Sequence, residues 1–448
     1  MFTPMQITNR KIFIYSQLKT ARFTYVLEWV FREQLHLDFE IVNDIAEWRR
    51  IEGLKLSYSD EILEPGTVNI KPHSLLAEEG VKAQTYSINR WKQSTILFYN
   101  QPGALVPFDI FSAVFFLISR YEEYLPHTKD KHGRFDHKQS VAAQFSFSQE
   151  PVIDEWLFHF RSALEQTFNC TLPKRAFTFL PTYDIDIAWK YLHKGKKRNL
   201  GGFAKDFLRF KWKAIVERKA VLAGKKTDPF DSFYWLEALH DRYGLQPIYF
   251  LLLGSWGKYD KNADPSLPAM QHLLQRLSKK NDVGIHPSYQ SHDGLETLKK
   301  EIAVLSKASE KTVSKNRQHY IKFSLPETYR ALIEAQITDD YSMGYASCNG
   351  FRAGTSNSFL WYDLLNEKAT ALRVHPFAFM EATNMFYQLD NVQEAFQEWE
   401  RLYLAVRNVG GTFISIWHNH TLGTDRTTKG WRELYEKTIA TIAQINRG

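Results

Sequence analysis

Asp184 and Asp186 close an apolar run, Phe177-Thr178-Phe179-Leu180-Pro181-Thr182-Tyr183, that reads as a β-strand. Two carboxylates at a strand end, two residues apart, can turn into one pocket. There one can hold a divalent cation while the other accepts a proton from water activated by the metal. The pair alone is a weak signal, because aspartate at a strand end is also ordinary loop chemistry. Two further runs end in histidine, Asp282-Val283-Gly284-Ile285-His286 and Phe413-Ile414-Ser415-Ile416-Trp417-His418. Three strand ends thus offer Asp, His and His, the ligand and acid–base types suited to zinc or a related transition metal. Their coincidence, rather than any one of them, points to a site.

The elements that must position these residues form an alternation of strands and helices beyond a boundary near residue 172. Strands are expected at Ala176–Tyr183, Gln246–Leu253, Asp282–His286, Ile337–Tyr341, Leu372–Pro376 and Gly411–Trp417. Such alternation predicts an α/β fold, with a parallel sheet or (β/α) barrel over 173–448. In a barrel the chemistry sits at the C-terminal ends of strands. Residues 1–172 read as an N-terminal α/β accessory domain, divisible into 1–85 and 86–172. Its nearly all-apolar helix from Ile110 belongs in a core. The tail of that helix, Ser119 to Tyr124, reads as a satisfied structural charge network.

With these motifs in order, residues 175–445 resemble the polysaccharide deacetylase (NodB homology) family, whose domain is a distorted (β/α) barrel. Thr182 to Asp186 is similar to the spaced Asp-x-Asp form of its first motif. The resemblance implies Asp184 as general base and Asp186 as metal ligand. The second motif, usually His-Ser/Thr-x-x-His, keeps only His286 in His286-Pro287-Ser288-Tyr289-Gln290, and His292 lies two residues late as an alternative ligand. The third motif, Arg-x-Pro-Tyr, is similar to Arg317-Gln318-His319-Tyr320, with histidine in place of proline. By that likeness His319 supplies the missing ligand, and Arg317 pairs with Asp184 and keeps it ionised. His418 resembles the histidine that acts as general acid in the fifth motif, with Asn419 replacing the usual aspartate. Asp340 falls where the acidic fourth motif stands. Arg352, suited to a carboxylate or phosphate, joins Asp340, Glu381, Trp417 and Tyr320 as expected substrate-binding positions. Phe108 to Tyr124 and Gly133-Arg134-Phe135 resemble an uncharacterised domain that precedes such deacetylases in Bacteroidetes-type proteins.

The implied activity is metal-dependent removal of an N-acyl (acetyl) group from an amino sugar or cell-envelope glycan precursor. The cofactor would be a divalent ion, zinc or another transition metal. The net charge of +7 is local: Lys190 to Lys226 holds thirteen Lys and Arg against Asp206 and Glu217, a net +11, which leaves 7 minus 11, or −4, elsewhere. This asymmetry argues against a generally basic surface and a specific nucleic-acid partner. A basic helix from Phe203 to Leu222 can cover a phosphate-linked substrate or lie on an anionic membrane, or can simply pack its apolar side on its own domain. The two cysteines, Cys170 and Cys348, form no Cys-x-x-Cys unit, and Met1 to Lys19 lacks a signal-peptide pattern. A cytoplasmic location, with peripheral membrane association through Lys190–Lys226, is expected. Two rival readings are a carbohydrate-binding barrel that lost catalysis with its second motif, and a membrane-surface or nucleic-acid binder using the basic segment.

Overall fold

A computed structural model describes residues 11–445. The chain forms two compact units, each assembled from three segments. Among the described residues, the first comprises 11–178, 350–376 and 402–413, and the second 179–349, 377–401 and 414–445.

In the first unit, β1 (Lys11–Tyr15), β2 (Asp38–Val42), β3 (Leu54–Tyr58) and β4 (Val68–Ile70) form a parallel sheet in the order β2-β1-β3-β4. A small hairpin of β5 (Asn89–Trp91) and β6 (Ser94–Ile96) follows. The helix Ile110–Ile118 is buried along its whole length, as its uniformly apolar sequence requires. Asp109 caps it by accepting from the Phe111 and Ser112 amides, and the Tyr58 hydroxyl donates to the same carboxylate at 2.7 Å. Beyond the helix, buried Arg120 bonds Glu122 and Glu123, each at 2.8 Å. This closes the expected charge network.

The second unit carries a row of strands in the order β11-β10-β9-β8-β7-β15-β14. These are β7 (Thr178–Ile185), β8 (Ile248–Leu252), β9 (Asp282–His286), β10 (Lys315–Asn316), β11 (Asp339–Asp340), β14 (Phe379–Met380) and β15 (Thr412–His418). Successive pairs from β7 to β11, and β14 with β15, run parallel. β8, Ile-Tyr-Phe-Leu-Leu, is buried at every position, the pattern of a strand covered on both faces. Helices such as Pro268–Lys280, which has proline at its first turn, connect the strands. A mixed α/β architecture follows.

Two expected elements differ. Leu372 to Pro376 does not continue the strand–helix alternation. It falls in β13 (Lys368–Val374), which pairs antiparallel with β12 (Phe359–Asp363) in the first unit. The basic helix expected at 203–222 is two helices, Gly195–Leu208 and Trp212–Leu222. Phe210, at φ 52°, takes the left-handed conformation that breaks the helical path between them.

Candidate metal centre

Each key side chain of the second unit stands where a buried strand gives way to a polar end. β7 delivers Asp184 on the strand and Asp186 just past it, β9 ends in His286, and β15 ends in His418. His319 opens a short turn after β10, next to Tyr320 at φ 61°. The backbone of Arg317 holds this segment against β9, since its amide donates to the Ile285 carbonyl at 3.0 Å. β9 tolerates no bulk at its middle. A methyl group on Gly284 would stand 2.6 Å from the Phe250 ring and 2.8 Å from the Lys315 carbonyl oxygen.

The side chains converge. His286 Nε2 is 3.2 Å from Asp186 Oδ1 and 3.7 Å from Asp184 Oδ2. His319 Nε2 and His418 Nε2 lie 3.6 and 3.7 Å from Asp186 Oδ2. One ligand atom from each of Asp186, His286 and His319 falls within 4.8 Å of the others. Two ligands of a tetrahedral zinc, each at about 2.0–2.1 Å, stand roughly 3.3 Å apart. The spacing therefore suits one small cation.

The outer nitrogens fix how the rings face inward. Nδ1 of His286 meets the Arg317 carbonyl at 2.6 Å, that of His319 meets Asp260 at 2.9 Å, and that of His418 meets Glu381 at 2.9 Å. All three acceptors are oxygens, so Nδ1 carries the proton and Nε2 points to the centre. With its proton on Nδ1, His286 presents the Nε2 lone pair to the Asp186 carboxylate. Asp186 Oδ1 is buried and accepts no hydrogen bond. Two facing lone pairs at 3.2 Å are repulsive, and a cation between them removes the conflict. On this test the residues fit a divalent metal.

Charges in the cluster are strongly coupled. Burial alone would raise the Asp186 carboxyl, but His319 first, and then His418, holds it well below the usual carboxylate range. Burial would lower His319, and Asp186 and Asp260 outweigh it, raising the imidazole to about 9. Against the same opposing burial, Glu381 and then Asp186 raise His418 to about 10. Glu381 is correspondingly held low by His418 despite its burial. Arg317 Nη1 donates to Asp184 Oδ1 at 3.0 Å and to the Thr182 hydroxyl at 2.7 Å, and its Nε donates to the Tyr341 carbonyl.

Asp184, Asp186, His286, Arg317, His319 and His418 are thus brought together, with Tyr320 half-buried beside them and its ring 4.6 Å from that of His319. The other expected positions lie differently. His292 is outside the group. It lines a separate cavity of about 250 Å³ with Pro287, Gln318 and Thr328. Asp340 is fully buried and takes hydrogen bonds from Asn316, Tyr329 and Ser342, which leaves it no route to a substrate. Trp417 is fully buried, its indole N–H donating to Ser415. Arg352 belongs to the first unit, where Glu123 takes its guanidinium at 2.8 and 2.6 Å. Glu381, expected at a sugar hydroxyl, is fully buried beneath His418 and also accepts from Thr421. Asp260 escaped sequence reasoning. It sits in a polar loop after β8, with no neighbouring motif to single it out.

A model for a family of unknown function (DUF7033) matches residues 12–169. No curated protein matches. Among solved structures, the chain is similar to a protein from Mycobacterium smegmatis assigned as a polysaccharide deacetylase. Identity is 13%, over 60% of this chain and 85% of that one, with a TM-score of 0.39. It is also similar to the Puue allantoinase (9% identity, 60% and 84% covered, TM-score 0.37) and to the polysaccharide deacetylase Bc1974 from Bacillus cereus (11%, 60% and 88%, 0.30).

Proposed function

We propose that the chain is a metal-dependent amide hydrolase that removes an N-acyl group, acetyl in the simplest case, from an amino sugar or glycan precursor. The observation that carries this reading is the convergence of His286 and His319 Nε2 on Asp186, each ring oriented by an oxygen behind it. The substrate class rests on the order of motifs in the sequence, from Thr182–Asp186 through Arg317–Tyr320 to His418. On this reading, the row from β11 to β14 is the wall of a distorted (β/α) barrel.

Asp186, His286 and His319 would hold the ion, zinc or a related transition metal. A bound divalent ion supplies Lewis acidity, polarising the acyl carbonyl and acidifying water. Asp184 takes the proton from the attacking water. Arg317 aims Asp184 into the site, with Thr182 fixing the same guanidinium. His418, charged through Glu381, carries a proton on Nε2 and passes it to the departing amine. It stands outside the group of three, which leaves it free for the acid role. The stacked Tyr259 and Tyr289 rings, 4.1 Å apart, with Tyr320 edge-on to both, give an aromatic wall suited to a sugar face.

Acetate release from N-acetylated amino-sugar oligomers, measured on metal-loaded protein, tests the reading. Asp184→Asn should lower turnover by about 10²–10⁴-fold while leaving the metal in place. Undiminished release in that variant would contradict the base assignment. Sugar binding that survives both chelation and Asp184→Asn, with no acyl release from any donor, would favour the non-catalytic binder.

A further inference from the structure

The basic segment carries a second surface. Helix Gly195–Leu208 has no buried residue along its fourteen positions, a rare state for a helix so rich in large apolar side chains. Leu200, Phe207 and Leu208 are 71, 51 and 75% exposed, and lie at helical spacing on one side with half-buried Phe203. The chain then turns at Phe210, 76% exposed, and enters Trp212–Leu222 through Trp212 and Val216, 54 and 67% exposed. Phe207 and Trp212 meet edge to face at 5.5 Å, so the apolar residues of the two helices form one patch at the hairpin tip.

Charge surrounds this patch. The segment's two acids are already engaged: Asp206 bonds Arg218 at 2.7 Å, and Glu217 is held by Lys190 and Lys226. Among the described residues no salt bridge neutralises Lys205, Arg209, Lys211 or Lys213, all exposed on or beside the tip. An apolar tip of Phe, Trp and Leu ringed by unneutralised Lys and Arg matches the two layers of an anionic bilayer surface, acyl boundary and headgroup phosphates. A second protein copy would meet the same positive charge and be repelled. Single-stranded nucleic acid would use the cations and leave most of the apolar area wet.

We propose that the Gly195–Leu222 hairpin docks the protein on an anionic phospholipid surface, with Phe207, Leu208, Phe210 and Trp212 entering the acyl boundary. The hairpin begins in the connection that follows Asp186, at the same strand-end side as the candidate centre. Docking therefore holds that end of the second unit at the headgroup layer, where a lipid-linked glycan would be presented.

Co-sedimentation of the full chain with vesicles tests this. Vesicles of phosphatidylcholine mixed with phosphatidylglycerol should retain the protein, and vesicles of phosphatidylcholine alone should retain it about tenfold less or weaker. Phe210→Ser with Trp212→Ser should lower retention on the mixed vesicles by about tenfold or more, with circular dichroism and metal content unchanged. Lys205→Glu with Lys211→Glu should abolish the preference for the anionic lipid. Equal retention of wild type and the serine variant would overturn the proposal. So would a dimer in vesicle-free solution that the serine variant dissolves, or salt-sensitive binding to an oligonucleotide without any vesicle binding. Because the readout is retention, loss of docking is distinguishable from loss of hydrolysis at Asp184.

Discussion

Asp260 and Glu381 show how much of a site can lie one bond behind its obvious residues. Each is a carboxylate on the Nδ1 of a central histidine, and each sets what the other ring nitrogen can do. Removing such a partner typically costs about 10–100-fold in metal affinity. Asp260→Ala should therefore weaken metal binding by that amount in a calorimetric titration, and unchanged affinity would show that His319 needs no orientation. Asp184, Asp186, His286 and His418 were legible in the sequence because an apolar run that ends abruptly in an ionisable residue marks a strand end. Glu381 was visible as a residue but not in its role, because only the fold shows that its carboxylate lies under His418. A separate residue contributes to acid sensitivity. Burial pulls His240, which meets the Tyr183 hydroxyl at 2.7 Å, from 6.5 down to about 4. Between those values the unfolded chain binds a proton that the native state refuses. Stability present above 6.5 is therefore lost as the pH falls toward 4. We expect a loss of about 1–2 kcal/mol between pH 7 and pH 5 that His240→Gln removes, read from urea midpoints. Parallel losses in both proteins would contradict it.

Elements carry the site by leaving it no slack. β9 can bring His286 to Asp186 only because Gly284 lets Phe250 and the Lys315 carbonyl close on the strand. Gly284→Ala should destabilise the protein by about 1–3 kcal/mol and loosen metal binding, measured by thermal unfolding and metal titration. A neutral result would mean that β9 can shift without moving His286. In the first unit, Arg352 and Glu123 form a buried pair whose partners come from distant parts of the chain. Arg352→Leu strands one carboxylate between fewer donors, and we expect about 3–5 kcal/mol of destabilisation by urea unfolding. The sequence showed Arg352 only as an arginine near a strand, which reads equally as an anion site. Asp154, bonded to Thr355, Ser356 and Asn357, is a second tie of the same kind. No local pattern announces such returns, whereas β8 and the helix Ile110–Ile118 were legible because their burial is written as continuous apolar sequence.

The whole molecule divides its charge as it divides its chemistry. The net +7 of the chain is more than accounted for by one segment, Lys190 to Lys226, and that segment contains the exposed hairpin rather than the candidate centre. Its basic, aromatic composition was plain from the sequence, but the turn at Phe210 and the exposure of the first helix along its whole length were not, because amphipathic spacing fits equally a helix packed on its own domain, as Ile215 and Val221 of the second helix are. Among the described residues no helix is long and apolar enough to cross a membrane. A metal bound only by the native state stabilises the whole fold by mass action, about 2.7 kcal/mol at a hundredfold excess over the dissociation constant. The most direct test of the central claim is elemental analysis of the purified chain after dialysis against zinc, beside Asp186→Ala treated alike. About one ion per wild-type chain and none in Asp186→Ala is the expected result. A wild-type chain that holds no zinc, cobalt, nickel or manganese, or an Asp186→Ala chain that keeps its ion, would contradict it.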